Sequence, residues 1–80
     1  MNTYLENKKL NYYVLEMPKE DSSFFYFTLE SNEGICFYST LDFEKGEKTR
    51  KVEVHVPPEW NHSFLSLLEH LSKTISFKIL

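Results

Sequence analysis

His55, Glu59 and His62 stand in the spacing H-x3-E-x2-H. Imidazole nitrogen and carboxylate oxygen are both ordinary zinc ligands, so these three could hold a divalent cation if their side chains converged. The spacing matches no zinc motif, however. It puts His55 on the exposed side of a strand and His62 on the polar side of a helix, where histidines are ordinarily solvated. His70 follows two turns later on that same polar side. Cys36 would act as a nucleophile only with a base beside it and a helix N-terminus or basic pair to lower its pKa. Its neighbours are Ile35 and Phe37, and it reads as a small residue of a half-buried strand. The chain holds two glycines and no G-x-G-x-x-G, P-loop or G-x-S-x-G, so backbone cradles for cofactors are not expected. The residues therefore point to a protein that is not an enzyme, with no catalytic residue, metal or cofactor.

Lys45, Lys48, Arg50 and Lys51 gather positive charge, partly offset by Glu44 and Glu47. The plainer reading is a solvated hairpin whose charges discourage edge pairing. The sharper one is a patch for single-stranded RNA, with Tyr12 and Tyr38 as stacking platforms. Against it, the strand that would carry the stacking rings offers Lys51, Glu53 and His55, and the K/R-G-F/Y-G/A-F-V pattern is missing. Nine Lys plus Arg against twelve Asp plus Glu give a net charge of -3 and a pI near 5.5, which opposes broad attraction to phosphate backbones or anionic lipid. Nucleic acid ranks behind a protein partner.

The elements that must position these residues follow from periodicity. Leu10 to Met17 reads as a strand closed by Pro18, with Tyr13, Leu15 and Met17 buried and Tyr12, Val14 and Glu16 opposite. Ile35 to Leu41 reads as a second strand, with Ile35, Phe37, Ser39 and Leu41 on one side and Cys36, Tyr38 and Thr40 on the other. Gly46 is free to take positive φ in the turn after it. From Lys51 to Val56 alternation is perfect, Val52, Val54 and Val56 against Lys51, Glu53 and His55. Pro57-Pro58 ends that strand, and Trp60, Phe64, Leu67, Leu68, Leu71 and Ile75 form the stripe of an amphipathic helix. Ile75, Phe77 and Ile79 alternate in a terminal strand.

Residues 20 to 33 are ambiguous. Phe24-Phe25-Tyr26-Phe27 has the aromatic content of a strand. Pro18 to Ser22 offers N-cap candidates and acidic residues, and Gly34 offers a stop, as a helix would need. In helical phase Phe24, Phe27, Thr28 and Ser31 share a face, with Phe25 and Leu29 beside it. A helix gives an α+β domain of βαββαβ order, ferredoxin-like, with two helices on one face of a single antiparallel sheet. A strand gives a five-stranded meander with one C-terminal helix.

The 80 residues, with seven Phe, five Tyr and one Trp, suit one small domain that needs most of its rings for the core. Residues 1–9 are polar and read as an N-terminal arm; residues 10–80 read as the domain. Phe37, Trp60, Phe64, Phe77 and Tyr13 are the rings assigned to the core, and Tyr12 and Tyr38 are surplus to it. No stretch approaches the roughly 18 apolar residues of a membrane span, and the N-terminus lacks an apolar leader segment. The single Cys36 suits a reducing cytoplasm.

The runs Leu29-Glu30-Ser31-Asn32-Glu33-Gly34, Ser39-Thr40-Leu41-Asp42, Lys45-Gly46, Val54-His55-Val56-Pro57 and Leu67-Leu68-Glu69-His70-Leu71 together resemble a family of small bacterial domains of unknown function, related in shape to ACT-like regulatory domains. The resemblance covers most of residues 10 to 80. It implies a helix before Glu33-Gly34 and so favours the βαββαβ plan. It also implies a small-ligand position near the end of the first strand, at Lys19, Glu20 and Asp21. It brings no known chemistry.

With both helices on one side, the open sheet face would carry Tyr12, Val14, Cys36, Tyr38, Thr40, Lys51, Glu53, His55 and Lys78. Mixed aromatic and charged faces of this kind mark interfaces. A homodimer or protein partner through Tyr12, Val14, Tyr38, Thr40, Lys51, Glu53 and His55 is the expected use, with weak RNA binding through Lys45, Lys48, Arg50 and Lys51 as the alternative.

Overall fold

The computed structural model describes residues 9–32 and 35–80. The arm read over residues 1–9 lies outside the described residues apart from Lys9, as does the helix stop assigned to Gly34. Strand β1 (Asn11–Pro18) leads directly into helix α1 (Lys19–Ser31). Strands β2 (Phe37–Thr40) and β3 (Thr49–Val56) follow. A short 3₁₀ turn (Pro58–Trp60), helix α2 (Asn61–Leu71) and strand β4 (Lys78–Ile79) complete the order. The strands form one antiparallel sheet in the order β2-β3-β1-β4. The architecture is α+β, and the helix over residues 19–31 excludes the five-stranded meander.

β-branched and aromatic residues fill β1 and β3, which pair along their whole length from Asn11↔Val56 to Pro18↔Thr49. Leu15, Met17, Val52, Val54 and Val56 all point to one side and are fully buried there. Phe25 and Leu29 of α1, Phe64, Leu68 and Leu71 of α2, and Ile75 join them in a single cluster. Both helices therefore cover the same face. Tyr13 lies at the margin of this core, its ring 5.4 Å from that of Phe64 and its hydroxyl donating to Asn61 Oδ1 at 2.6 Å.

No side chain caps α1. The Lys19 amide instead donates to the Lys48 carbonyl at 2.8 Å, which ties the helix start to the entry of β3, while Glu20 and Asp21 stand in the first turn, where the dipole favours them. The helical phase differs from the expected one. Ser22, Phe25 and Leu29 face the sheet, whereas Phe24 and Phe27 are exposed, Phe27 by 66%. Facing Phe24 and Phe27 inward would have pulled both Phe25 and Leu29 out of contact with the valines, and only one of the two stripes can meet the sheet.

Three more rings lie elsewhere than expected. Trp60 is 46% exposed because it closes a 3₁₀ turn; at three residues per turn it is rotated off the stripe that starts at Phe64. Phe37 is 48% exposed and Tyr38 is half-buried against the core, the reverse of the expected assignment. Pairing with β3 decides this, since Tyr38 stands opposite buried Val54 and Phe37 opposite His55. Phe77 packs partly buried against the core as read, although the terminal strand shrinks to Lys78–Ile79. Gly46 adopts φ +94° in the turn between β2 and β3.

Candidate functional site

The sheet face away from the helices is laid out by register as three rows running across the strands. Phe37, His55 and Tyr12 make the first, through the pairs Phe37↔His55 and Tyr12↔His55. Ser39, Glu53 and Val14 make the second, continued by Leu80, whose amide donates to the Val14 carbonyl at 2.8 Å. Lys51, Glu16 and Lys78 make the third, through Glu16↔Lys51 and Glu16↔Lys78. One end of the face is thus a band of rings and the other a band of alternating charge. Tyr12 is 53% exposed and Leu80 61%.

Glu53 organises the centre. Its carboxylate accepts a hydrogen bond from Tyr12 Oη at 3.0 Å and another from Ser39 Oγ at 2.8 Å. These two hydroxyls, Ser39 first, hold its pKa below the ordinary carboxylate value, with His55 adding a smaller electrostatic contribution in the same direction. The same bond raises the Tyr12 phenol pKa, since the donated proton is held by the carboxylate. The Tyr12 ring lies 4.9 Å from the His55 ring, a tilted pair in the favourable range for aromatic contact. The first two rows are therefore tied together by side chains from β1, β2 and β3. Ser39 thus donates to the Glu53 carboxylate and not to the His55 imidazole.

Of the residues expected on this face, Tyr12, Val14, Lys51, Glu53 and His55 are there. Tyr38 and Thr40 are not. The Tyr38 ring stacks at 5.3 Å on Tyr26 of α1, and the Tyr26 hydroxyl meets Thr40 Oγ1; both belong to the helix-covered side. Burial, with the nearby Glu30 charge, raises the Tyr38 phenol pKa. Phe37 and Ser39 occupy the places assigned to Tyr38 and Thr40. The pairing partner in β3 is the signal that identifies them: once the buried valines are set, whichever β2 residues oppose Lys51, Glu53 and His55 must face outward.

Cys36 also lies on the helix side, packed against the core. Burial pushes its thiol up to about 11, the opposite of an activated nucleophile. His55 is engaged by Tyr12, His62 is exposed in the first turn of α2 and Glu59 is in the 3₁₀ turn; among the described residues no three such side chains gather into a metal-holding group. The basic cluster is divided. Arg50 lies over the Phe43 ring at 3.6 Å and donates to the carbonyls of Glu47 and Thr49, on the side opposite Lys51. Lys45 and Lys48 are exposed in the turn. Lys19, Glu20 and Asp21 do not form a loop, because β1 runs to Pro18 and α1 begins at Lys19.

No described helix is long and apolar enough to cross a membrane. A family model, described as "Domain of unknown function (DUF4911)", matches residues 15–75. No curated protein and no solved structure matches the chain.

Proposed function

Starting from a chain that belongs to the DUF4911 family of domains of unknown function, we propose a non-catalytic interaction and regulatory module of the bacterial cytoplasm that self-associates through its open sheet face. The ferredoxin-like, ACT-like plan is part of this reading. It is supported by the element order, by the strand order β2-β3-β1-β4 and by the placement of both helices on one side. The observation that carries the reading is the row Phe37, His55 and Tyr12, three rings side by side on a face that no element among the described residues covers. A small domain gains little by leaving Tyr12 and Phe37 half in water when each could bury well over 100 Å². A second sheet stacked about 10 Å away would cover them.

Four strands about 4.8 Å apart and three rows about 6.8 Å apart give a face on the order of 400 Å², about half of the roughly 800 Å² per partner in a standard stable interface. The expected association is therefore weak, and it is best sought at high protein concentration. Sedimentation velocity over a concentration series should show a monomer–dimer equilibrium that Tyr12→Ala and Phe37→Ser each shift toward monomer. Tyr38→Ala, on the other side of the sheet, should leave the equilibrium in place while lowering the melting temperature. A strict monomer at every concentration would overturn the reading.

A further inference from the structure

Resting on that reading, the geometry points to one particular pairing: we infer that a second copy of this chain docks face to face about a two-fold axis parallel to the strands, passing between β1 and β3, so that Lys51 of each copy meets Glu16 of the other. Such an axis exchanges β3 with β1 and β2 with β4 while keeping each row opposite its own counterpart. The rows then answer one another. In the charged row, Lys51 faces Glu16 of the second copy and Glu16 faces Lys51, so each of these charges has an opposite neighbour beside it in its own chain and another across the interface. In the ring row, His55 faces Tyr12 and Tyr12 faces His55. In the middle row Glu53 meets Val14, and each of its carboxylate oxygens already accepts a hydrogen bond from a hydroxyl of its own chain, which lowers the cost of covering it.

A two-fold axis across the strands gives a poorer match. It sets the rings of one copy against Lys51, Glu16 and Lys78 of the other, which desolvates charge against aromatic edges at both ends. Charge complementarity therefore selects the axis along the strands. Aligned packing of two twisted sheets tolerates a rotation of about 30° without losing this correspondence, and both lysine and glutamate are long enough to meet across the gap between the sheets.

Charge reversal tests the pairing. In Lys51→Glu and in Glu16→Lys, each homodimer contains two like-charge contacts, and the dissociation constant measured by sedimentation equilibrium should rise about tenfold or more. Mixing the two variants should restore association to near the wild-type value, because the mixed dimer has one reversed attractive contact and one native one. The double variant Glu16→Lys/Lys51→Glu provides an independent check should a single variant fold poorly, since it retains an opposite-charge pair across β1 and β3. It should self-associate like the wild type and fail to pair with it. Circular dichroism establishes the folded state of each variant. If the wild type dimerises but the mixture associates no better than either variant alone, the pairing is wrong and self-association stands. If the wild type is monomeric throughout, the reading beneath it falls as well.

Discussion

Cys36 shows how strongly position governs a reactive group. The ordinary thiol value of 9.0 moves to about 11 through burial, so at pH 8 its thiolate fraction is on the order of a hundredfold smaller than that of a free cysteine. Labelling with a disulfide reagent at pH 8 should be slow in the native protein and fast in denaturant; equal rates would mean that Cys36 is not buried. Because the folded-state pKa lies above the unfolded one, stability should be level below about pH 9 and should decline as pH rises through about 11. Among single residues, the sequence pattern sorted β1 and β3 well. Their strict alternation leaves one choice of buried face, so Tyr12, Val14, Lys51, Glu53 and His55 were all legible as outward. Tyr38 and Phe37 were not. Each sits in a four-residue strand that carries one ring and one hydroxyl residue on either side, and only pairing with Val54 and His55 separates them.

At the scale of elements, α1 is the instructive case. A run of four aromatics puts rings on every side of a helix, so its inward stripe has no periodic signature, and packing against Val52 and Val54 selects Phe25 with Leu29. Phe25→Ala should then cost about 3 to 5 kcal/mol, a large share of the roughly 5 to 15 kcal/mol that stabilises a typical domain. Phe24→Ala, one residue away, should change stability by less than about 0.5 kcal/mol. Chemical denaturation of the two variants separates these outcomes, and equal losses would mean that α1 is rotated from the phase described. The stripe of α2 was legible over Phe64, Leu68 and Leu71, which recur at helical spacing, but the helix ends at Leu71 and Ile75 joins the core from the turn beyond it. Trp60 fell outside it at the other end, since a 3₁₀ turn precedes the helix and nothing in a list of apolar positions distinguishes three residues per turn from 3.6.

At the scale of the whole molecule, the uneven distribution of charge matters more than the net value of -3. The basic residues near Gly46 divide between the two sides of the sheet, with Arg50 satisfied by backbone carbonyls and the Phe43 ring, while Lys51 and Lys78 flank Glu16 on the open face. Association that draws on this charged row should weaken as salt rises from 0.05 to about 1 M, where screening shortens to about 3 Å. Sedimentation at the two salt concentrations provides the measurement, and a dimer that strengthens steadily with salt would point to the rings alone. Most of the open face was thus readable from alternation, whereas the fold class turned on residues 20 to 33, which pattern left open between helix and strand; what escaped was set by contacts between elements distant in the chain.

Among the described residues, the two of β4 and the four of β2 form the lateral borders of the sheet. So few free backbone groups at either border make a poor template for another strand, which discourages growth sideways into ribbons. A face related to itself by a two-fold axis is used up by a single copy. Together these properties give the proposed assembly a fixed stoichiometry: it closes at two, and crowding raises the fraction of chains paired without lengthening any polymer.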